Sequence, residues 1–266
     1  MRWMGKLVGG LIGALLIRSP LGAAFGVVFG HLFDEYSEAA AAASPEQLTS
    51  IGQLFFRATF RVMGYVAKAD GRVSEQEISA ARMVMAELGL TAPQVQEAIA
   101  CFTAGKAAEF NLDGELHALA ENCRSRPGLA RVFVEIQMRA ALAGNDLAGP
   151  ARPLLNHIAR GLGVSGLELA QIETLLRIQR SGFRAGAARA GTARDGRLED
   201  AYQVLGTTSA ASDQEVIKAY RRQLNRHHPD KLKANGLPES MMAHAKQRTQ
   251  QIIEAWELIR ERRGLS

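Results

Sequence analysis

The residues of this chain whose types and spacing could do chemistry cluster at His228-Pro229-Asp230 and the basic stretch before it. Lys218, Arg222 and Arg226 recur every four residues, so a helix there carries a row of positive charge that would steer toward an acidic partner. Asp230 follows the row on a turn, where a carboxylate can accept charge-assisted hydrogen bonds from a partner arginine. Recognition of this kind needs no covalent step. The motifs of hydrolases and transferases, Gly-x-Ser-x-Gly, a phosphate loop and His-Glu-x-x-His, do not occur, so the reading is not an enzyme. His227 and His228 lack a cysteine or carboxylate at ligand spacing, so no metal and no cofactor is expected there.

Local signals position that stretch. Ser212 and Glu215 are spaced as a capping box, which starts a helix. Val216, Ile217, Tyr220 and Leu224 then fall on the side opposite the basic row. Pro229 disfavours helical geometry at His228, so the helix is expected to stop there and the tripeptide to form a loop. Beyond it, Pro238 suits a first helical turn. Met242, Ala245, Thr249, Ile252, Trp256 and Ile259 recur at spacings of three and four, predicting a second helix antiparallel to the first. Upstream, residues 199–206 read as a short helix with Gly206 as its C-cap.

Residues 199–266, with His228-Pro229-Asp230 between those two helices, resemble the J domain of DnaJ-type co-chaperones. The resemblance implies docking on the ATPase domain of an Hsp70 chaperone and stimulation of its ATP hydrolysis. It also implies that Lys218, Tyr220, Arg221, Arg222 and Arg226 belong to the docking helix and that His228, Pro229 and Asp230 are the trigger. A charge row alone would read as a solvated helix face; beside the tripeptide it reads as a docking surface. Gln223 stands where the family usually carries leucine, and is expected to loosen the core locally.

The whole chain has 266 residues, 47% hydrophobic and 22% charged, a globular composition with room for two modest domains. The net charge of +5 is spread along it without an aromatic-interleaved basic cluster, which argues against a nucleic-acid partner. Cys101 and Cys123 make no disulfide framework and read as reduced thiols. Residues 7–33 are apolar for longer than the ~20 residues that cross a bilayer, although Arg18 and Pro20 interrupt them. A single transmembrane helix within residues 1–34 competes there with a secretory signal peptide and with a broken interfacial helix. Gly5, Gly9 and Gly13, and then Gly22, Gly26 and Gly30, repeat every four residues, a spacing that would let two spans dimerise; glycine is also simply common in such helices. The flanking charges, Arg2 and Lys6 before and Asp34, Glu35 and Glu38 after, would place the N-terminus in the cytoplasm. The ATP that an Hsp70 needs argues for the opposite, with the N-terminus periplasmic and the C-terminal domains cytoplasmic.

Residues 51–179 show helical periodicity broken by glycine and proline, and a linker over 35–50 joins them to the span. They repeat at an offset of 74: Ala69-Asp70-Gly71 aligns with Ala143-Gly144-Asn145, and Leu88-Gly89-Leu90-Thr91 with Leu162-Gly163-Val164-Ser165. Asp70 to Glu77 resembles the turn and helix of TerB-like domains, whose acidic residues have been considered as metal ligands. Ser74 and Glu77 form a capping box that explains the same residues without an ion, and the second copy has Gly144 and Ala151 where the acids would stand. Residues 180–198, rich in Gly, Ala and Arg, read as a flexible tether.

The reading is thus an all-α chain: anchor, TerB-like helical domain with an internal duplication, linker and J-domain hairpin. That order resembles the membrane-anchored DnaJ-like co-chaperones of bacteria. Met63-Gly64, Glu135-Ile136-Gln137 and the run from His227 to Leu232 carry the closest local matches. The resemblance implies a single-pass protein of the inner membrane, in contact with the lipid bilayer, that works with the Hsp70 DnaK in envelope or capsule-synthesis signalling. A competing class is a membrane-bound sensor acting through the TerB-like domain with a non-stimulating J domain, of which Gln223 would be the first sign.

Overall fold

A series of helix caps and left-handed glycines divides the chain into helices, seen in a computed structural model that describes residues 44–185 and 193–265. The anchor and its glycine stripes lie outside the described residues, as does 186–192 of the expected tether. The chain divides into two compact units, Met1–Leu48 and Thr49–Ser266, and nearly all of the described residues belong to the second. Every element described is helical, as the periodicity predicts.

The middle region comprises α1 (Pro45–Ala67), α2 (Glu75–Glu87), α3 (Ala92–Gly105), α4 (Leu112–Cys123), α5 (Pro127–Asn145), α6 (Ala151–Gly161) and α7 (Gly166–Ala185). Helix α5 is buried almost all round, with Leu129, Phe133, Ile136 and Leu142 at 1% exposure or less, and it packs against α2, α4, α6 and α7. A helix buried on every side lies at the centre of its bundle, and each such apolar side chain contributes about 1.5–3 kcal/mol by leaving water. Cys101 and Cys123 are free and buried, and burial pushes the Cys123 thiol up to about 12, so both act as small apolar groups.

The duplication is visible in the backbone. Helices α3 and α7 begin 74 residues apart, after Gly89 (φ 65°) and Gly163 (φ 73°), whose left-handed turns end the preceding helices. Thr91 with Gln94 and Ser165 with Glu168 cap both starts in the same way. The halves differ at α2 and α6. Ser74 and Glu77 form the expected capping box, whereas α6 follows Pro150 without a side-chain cap. The second half lacks the acid of the first for a packing reason. A Cβ on Gly144 would stand 2.8 Å from Glu77 Cγ, and Asn145 Nδ2 donates to Glu77 Oε1 at 3.0 Å.

Residues 180–198, expected to be a flexible tether, are helical at both ends. Helix α7 runs to Ala185, and α8 (Ala193–Leu205) starts well before residue 199. Alanine and arginine are good helix formers, and Arg180 is tied back to α5 through the Leu142 carbonyl and Asp146. The C-terminal region then forms α8, α9 (Asp213–His227), α10 (Pro229–Ala234), a 3₁₀ turn Glu239–Met241 and α11 (Met242–Arg263). Helices α8, α9 and α11 close on Tyr202, Leu205, Val216, Ile252 and Ile259. The apolar residues after the tripeptide behave otherwise. Leu232, Leu237, Met241, Met242 and Ala245 join the core of the middle helices, so the two regions share a continuous apolar seam.

Candidate functional site

Helix α9 starts at the expected capping box, with Ser212 and Glu215 exchanging backbone and side-chain bonds, and its basic side faces solvent. Lys218, Arg221 and Arg222 are exposed and Arg226 is half-buried. Tyr220 lies on the packing side, where its ring stacks on Trp256 at 4.7 Å and 11°, fixing α9 against α11. It therefore orients the basic row more than it presents a surface of its own.

The tripeptide is not a loop. His228 has extended backbone (φ −60°, ψ 124°) and serves at once as C-cap of α9 and N-cap of α10. Its ring Nδ1 accepts the Asp230 amide at 3.2 Å, and Pro229 is the first residue of α10. Proline ends one helix yet opens the next because the amide it lacks is unpaired at a first helical position anyway. The result is a sharp corner with the His228 side chain 45% exposed and the Asp230 carboxylate 90% exposed.

Gln223 does not loosen the core. It is 7% exposed, its Nε2 donates to the Leu205 carbonyl at 3.4 Å, and Gly206 (φ 69°) closes the same helix end. The amide thus satisfies a carbonyl that the end of α8 would leave unpaired. Replacing Gln223 by leucine, the residue usual in the family, would strand that carbonyl. We expect Gln223→Leu to lower the unfolding free energy by about 1 kcal/mol, read from urea denaturation, rather than raise it.

Behind the corner is a cluster that sequence reading missed. Glu135 of α5 is 4% exposed, and its Oε1 lies 3.5 Å from His244 Nε2, 3.6 Å from an Arg139 nitrogen and 4.0 Å from Arg248 Nε. His244 and Arg248 sit one turn apart on α11, both nearly buried. Burial alone would raise the Glu135 carboxyl, but Arg248 and His244 hold it well below the usual carboxylate range. His227, the last residue of α9, is 8% exposed; burial, aided by Arg248, pushes its ring down to about 3. Its carbonyl accepts the Thr249 hydroxyl at 2.8 Å. The available signal was a lone carboxylate inside the otherwise apolar run of α5, facing a His and an Arg at helical spacing on α11.

That cluster should make the fold acid-sensitive. His227 stays neutral when folded but takes a proton below about 6.5 when unfolded, so its stability contribution is complete above that value and is lost as pH falls toward 3. Glu135, lowered in the fold, loses its contribution in the same direction below the ordinary carboxyl range. Unfolding free energy should therefore fall by roughly 1.4 kcal/mol per pH unit below pH 6. Urea midpoints at pH 7 and pH 5 measure this, and His227→Gln should remove most of the difference.

Comparison with known proteins gives matches along the chain. Residues 200–263 match the family described as DnaJ domain, residues 57–174 that described as tellurite resistance protein TerB, and residues 1–50 that described as co-chaperone DjlA transmembrane domain. The co-chaperone protein DjlA of Coxiella burnetii is 45% identical over 272 residues, covering 100% of both chains. The chain belongs to the DjlA co-chaperone family. Its DjlA relatives from Photobacterium profundum and Vibrio cholerae are 42% and 40% identical, each covering 79% of this chain and 78% of their own. No solved structure matches. Among the described residues no helix is long and apolar enough to cross a membrane, and the segment that matches the DjlA transmembrane family lies largely before them.

Proposed function

We propose that this DjlA-family chain recruits the Hsp70 DnaK to the inner membrane and stimulates its ATP hydrolysis through His228, Pro229 and Asp230. Lys218, Arg221, Arg222 and Arg226 form the row that docks on an acidic face of the Hsp70, and Tyr220 fixes the helix bearing them. The observation that carries the reading is the corner itself: a carboxylate 90% exposed at the end of an exposed basic helix face, on a backbone fixed by caps on both sides. The N-terminus is periplasmic and the remainder cytoplasmic, where ATP is available. The glycine stripes Gly5, Gly9, Gly13 and Gly22, Gly26, Gly30 pair two spans in the membrane.

The test is single-turnover ATP hydrolysis by DnaK with the full chain in detergent micelles. Acceleration that saturates with chain concentration and weakens as salt rises supports the reading, since a charge row docks electrostatically. No acceleration by folded protein would overturn it and leave the sensor reading, in which the TerB-like region acts alone.

A further inference from the structure

The chain is fixed to the middle helices on both sides of the exposed corner. Before it, the buried His227 closes α9, its carbonyl held by the Thr249 hydroxyl at 2.8 Å, one residue after the Arg248 that faces Glu135. After it, Leu232 is 1% exposed and packs over the start of α5, where a Cβ on Gly128 would stand 3.2 Å from its Cδ2. Gly236 follows, its carbonyl 3.4 Å from where a Cβ on Gly52 of α1 would be, and then Leu237 in the shared core. Between the two pins, Asp230 alone is fully solvent-facing, and none of the described residues of the middle helices covers it. A contact that restrains a turn while leaving its functional face open orders that face without blocking it.

We propose that Glu135, on the middle region, is a positioning residue for the His228–Asp230 corner: through His244 and Arg248 on α11, whose Thr249 holds the His227 carbonyl, it keeps the corner in the geometry that an Hsp70 meets. The functional half rests on the Hsp70 reading above. In physical terms, a turn free to sample many conformations would lose part of the binding energy in being ordered by its partner, and a braced turn does not. The middle region then acts on the trigger by being docked, which links whatever occupies its surface to the output of the J domain through one shared seam.

The test uses the full chain and two substitutions that loosen opposite pins. Glu135→Gln keeps shape and removes the charge that His244 and Arg248 face. Gly128→Val changes no charge and wedges against Leu232, so one variant remains informative if the other folds poorly. Amide hydrogen exchange over residues 228–237 should rise tenfold or more in both, with residues 252–259 at the wild-type rate as an internal measure of intact hairpin. Maximal stimulation of single-turnover ATP hydrolysis by Hsp70 should fall three- to tenfold, with the concentration for half-maximal effect changing less, because the basic row is untouched. Glu135→Asp, which keeps the charge, should recover part of both. Unchanged exchange at 228–237, or stimulation equal to or above wild type despite faster exchange, would overturn the proposal, the latter making the middle region a restraint rather than a brace. If wild-type protein does not stimulate at any concentration, the Hsp70 reading fails instead, and the exchange comparison decides by itself whether Glu135 orders the corner.

Discussion

His228→Gln and Asp230→Asn are each expected to return Hsp70 ATP hydrolysis to its unassisted rate while leaving the fold of the full chain in place. What these side chains do for the fold is separable from what they offer a partner. Asp230 is 90% exposed and stands 3.9 Å from His228 Nδ1, so its contribution to stability is that of an acid on a first helical turn, about 0.3–1 kcal/mol. His228 accepts the Asp230 amide as an N-cap through Nδ1, which glutamine's longer side chain does not match, and loss of such a cap costs only about 1 kcal/mol. Unfolding midpoints should therefore move little. On the partner side, converting an exposed carboxylate to an amide removes charge-assisted bonds and leaves a cation of the partner desolvated and unpaired, worth about 2–5 kcal/mol. That is tenfold at the least in an equilibrium constant. Stimulation and midpoint, measured on the same preparations, check the separation: stimulation lost with the midpoint kept is the expected result, and stimulation retained in both variants would remove the corner from the mechanism.

The local half of this architecture was legible because it is written in short-range chemistry. The capping boxes at Ser212 and Ser74, the periodicity of α9 and α11, and the 74-residue repeat all act within a few turns of chain or between copies of one pattern. The tripeptide's boundary was legible too, but not its conformation, since Pro229 carries two opposite instructions and only the capping bond from the Asp230 amide to His228 selects the second. Gln223 was misjudged for a related reason: its partner, the Leu205 carbonyl, belongs to a helix end 18 residues away, and a substitution rule for one helix cannot see it. The seam was invisible because Leu232, Leu237 and Met241 fit a J-domain hairpin core and a contact with α5 equally well as apolar residues. What distinguishes the two is Glu135, which makes sense only when His244 and Arg248 face it. Nothing in the spacing of residues more than a hundred positions apart could pair them.

The second large effect lies at a crossing where two helix backbones touch directly. Gly64 on α1 and Gly105 on α3 face each other's backbones: a Cβ on Gly105 would lie 1.8 Å from the Arg61 carbonyl oxygen, and one on Gly64 would lie 2.0 Å from that of Phe102. The helices therefore touch main chain to main chain, and any side chain at either position must push them apart by more than an ångström. Neither can yield cheaply. Phe55 of α1 meets Phe133 of α5 edge-on at 5.7 Å, the Thr59 carbonyl accepts Gln137 Nε2 at 2.8 Å, and Ala98 and Phe102 of α3 are buried. Overpacking of a rigid core costs about 1–3 kcal/mol when flexible side chains can adjust, and more when the obstacle is backbone. Gly105→Ala should thus lose about 3 kcal/mol, lowering Tm by about 6–12 °C for a unit of this size. Gly166→Ala is the control, because an added Cβ there meets nothing within 4 Å and the backbone is not left-handed; its Tm should stay within a few degrees of wild type. The position 74 residues after Gly64 is Met138, itself 2% exposed, so the duplicated half solves the same crossing with a side chain instead of an approach of backbones. The asymmetry explains why only the first half should be so sensitive, and Met138→Ala, which removes volume, should destabilise by leaving a cavity where Gly105→Ala destabilises by filling space that does not exist.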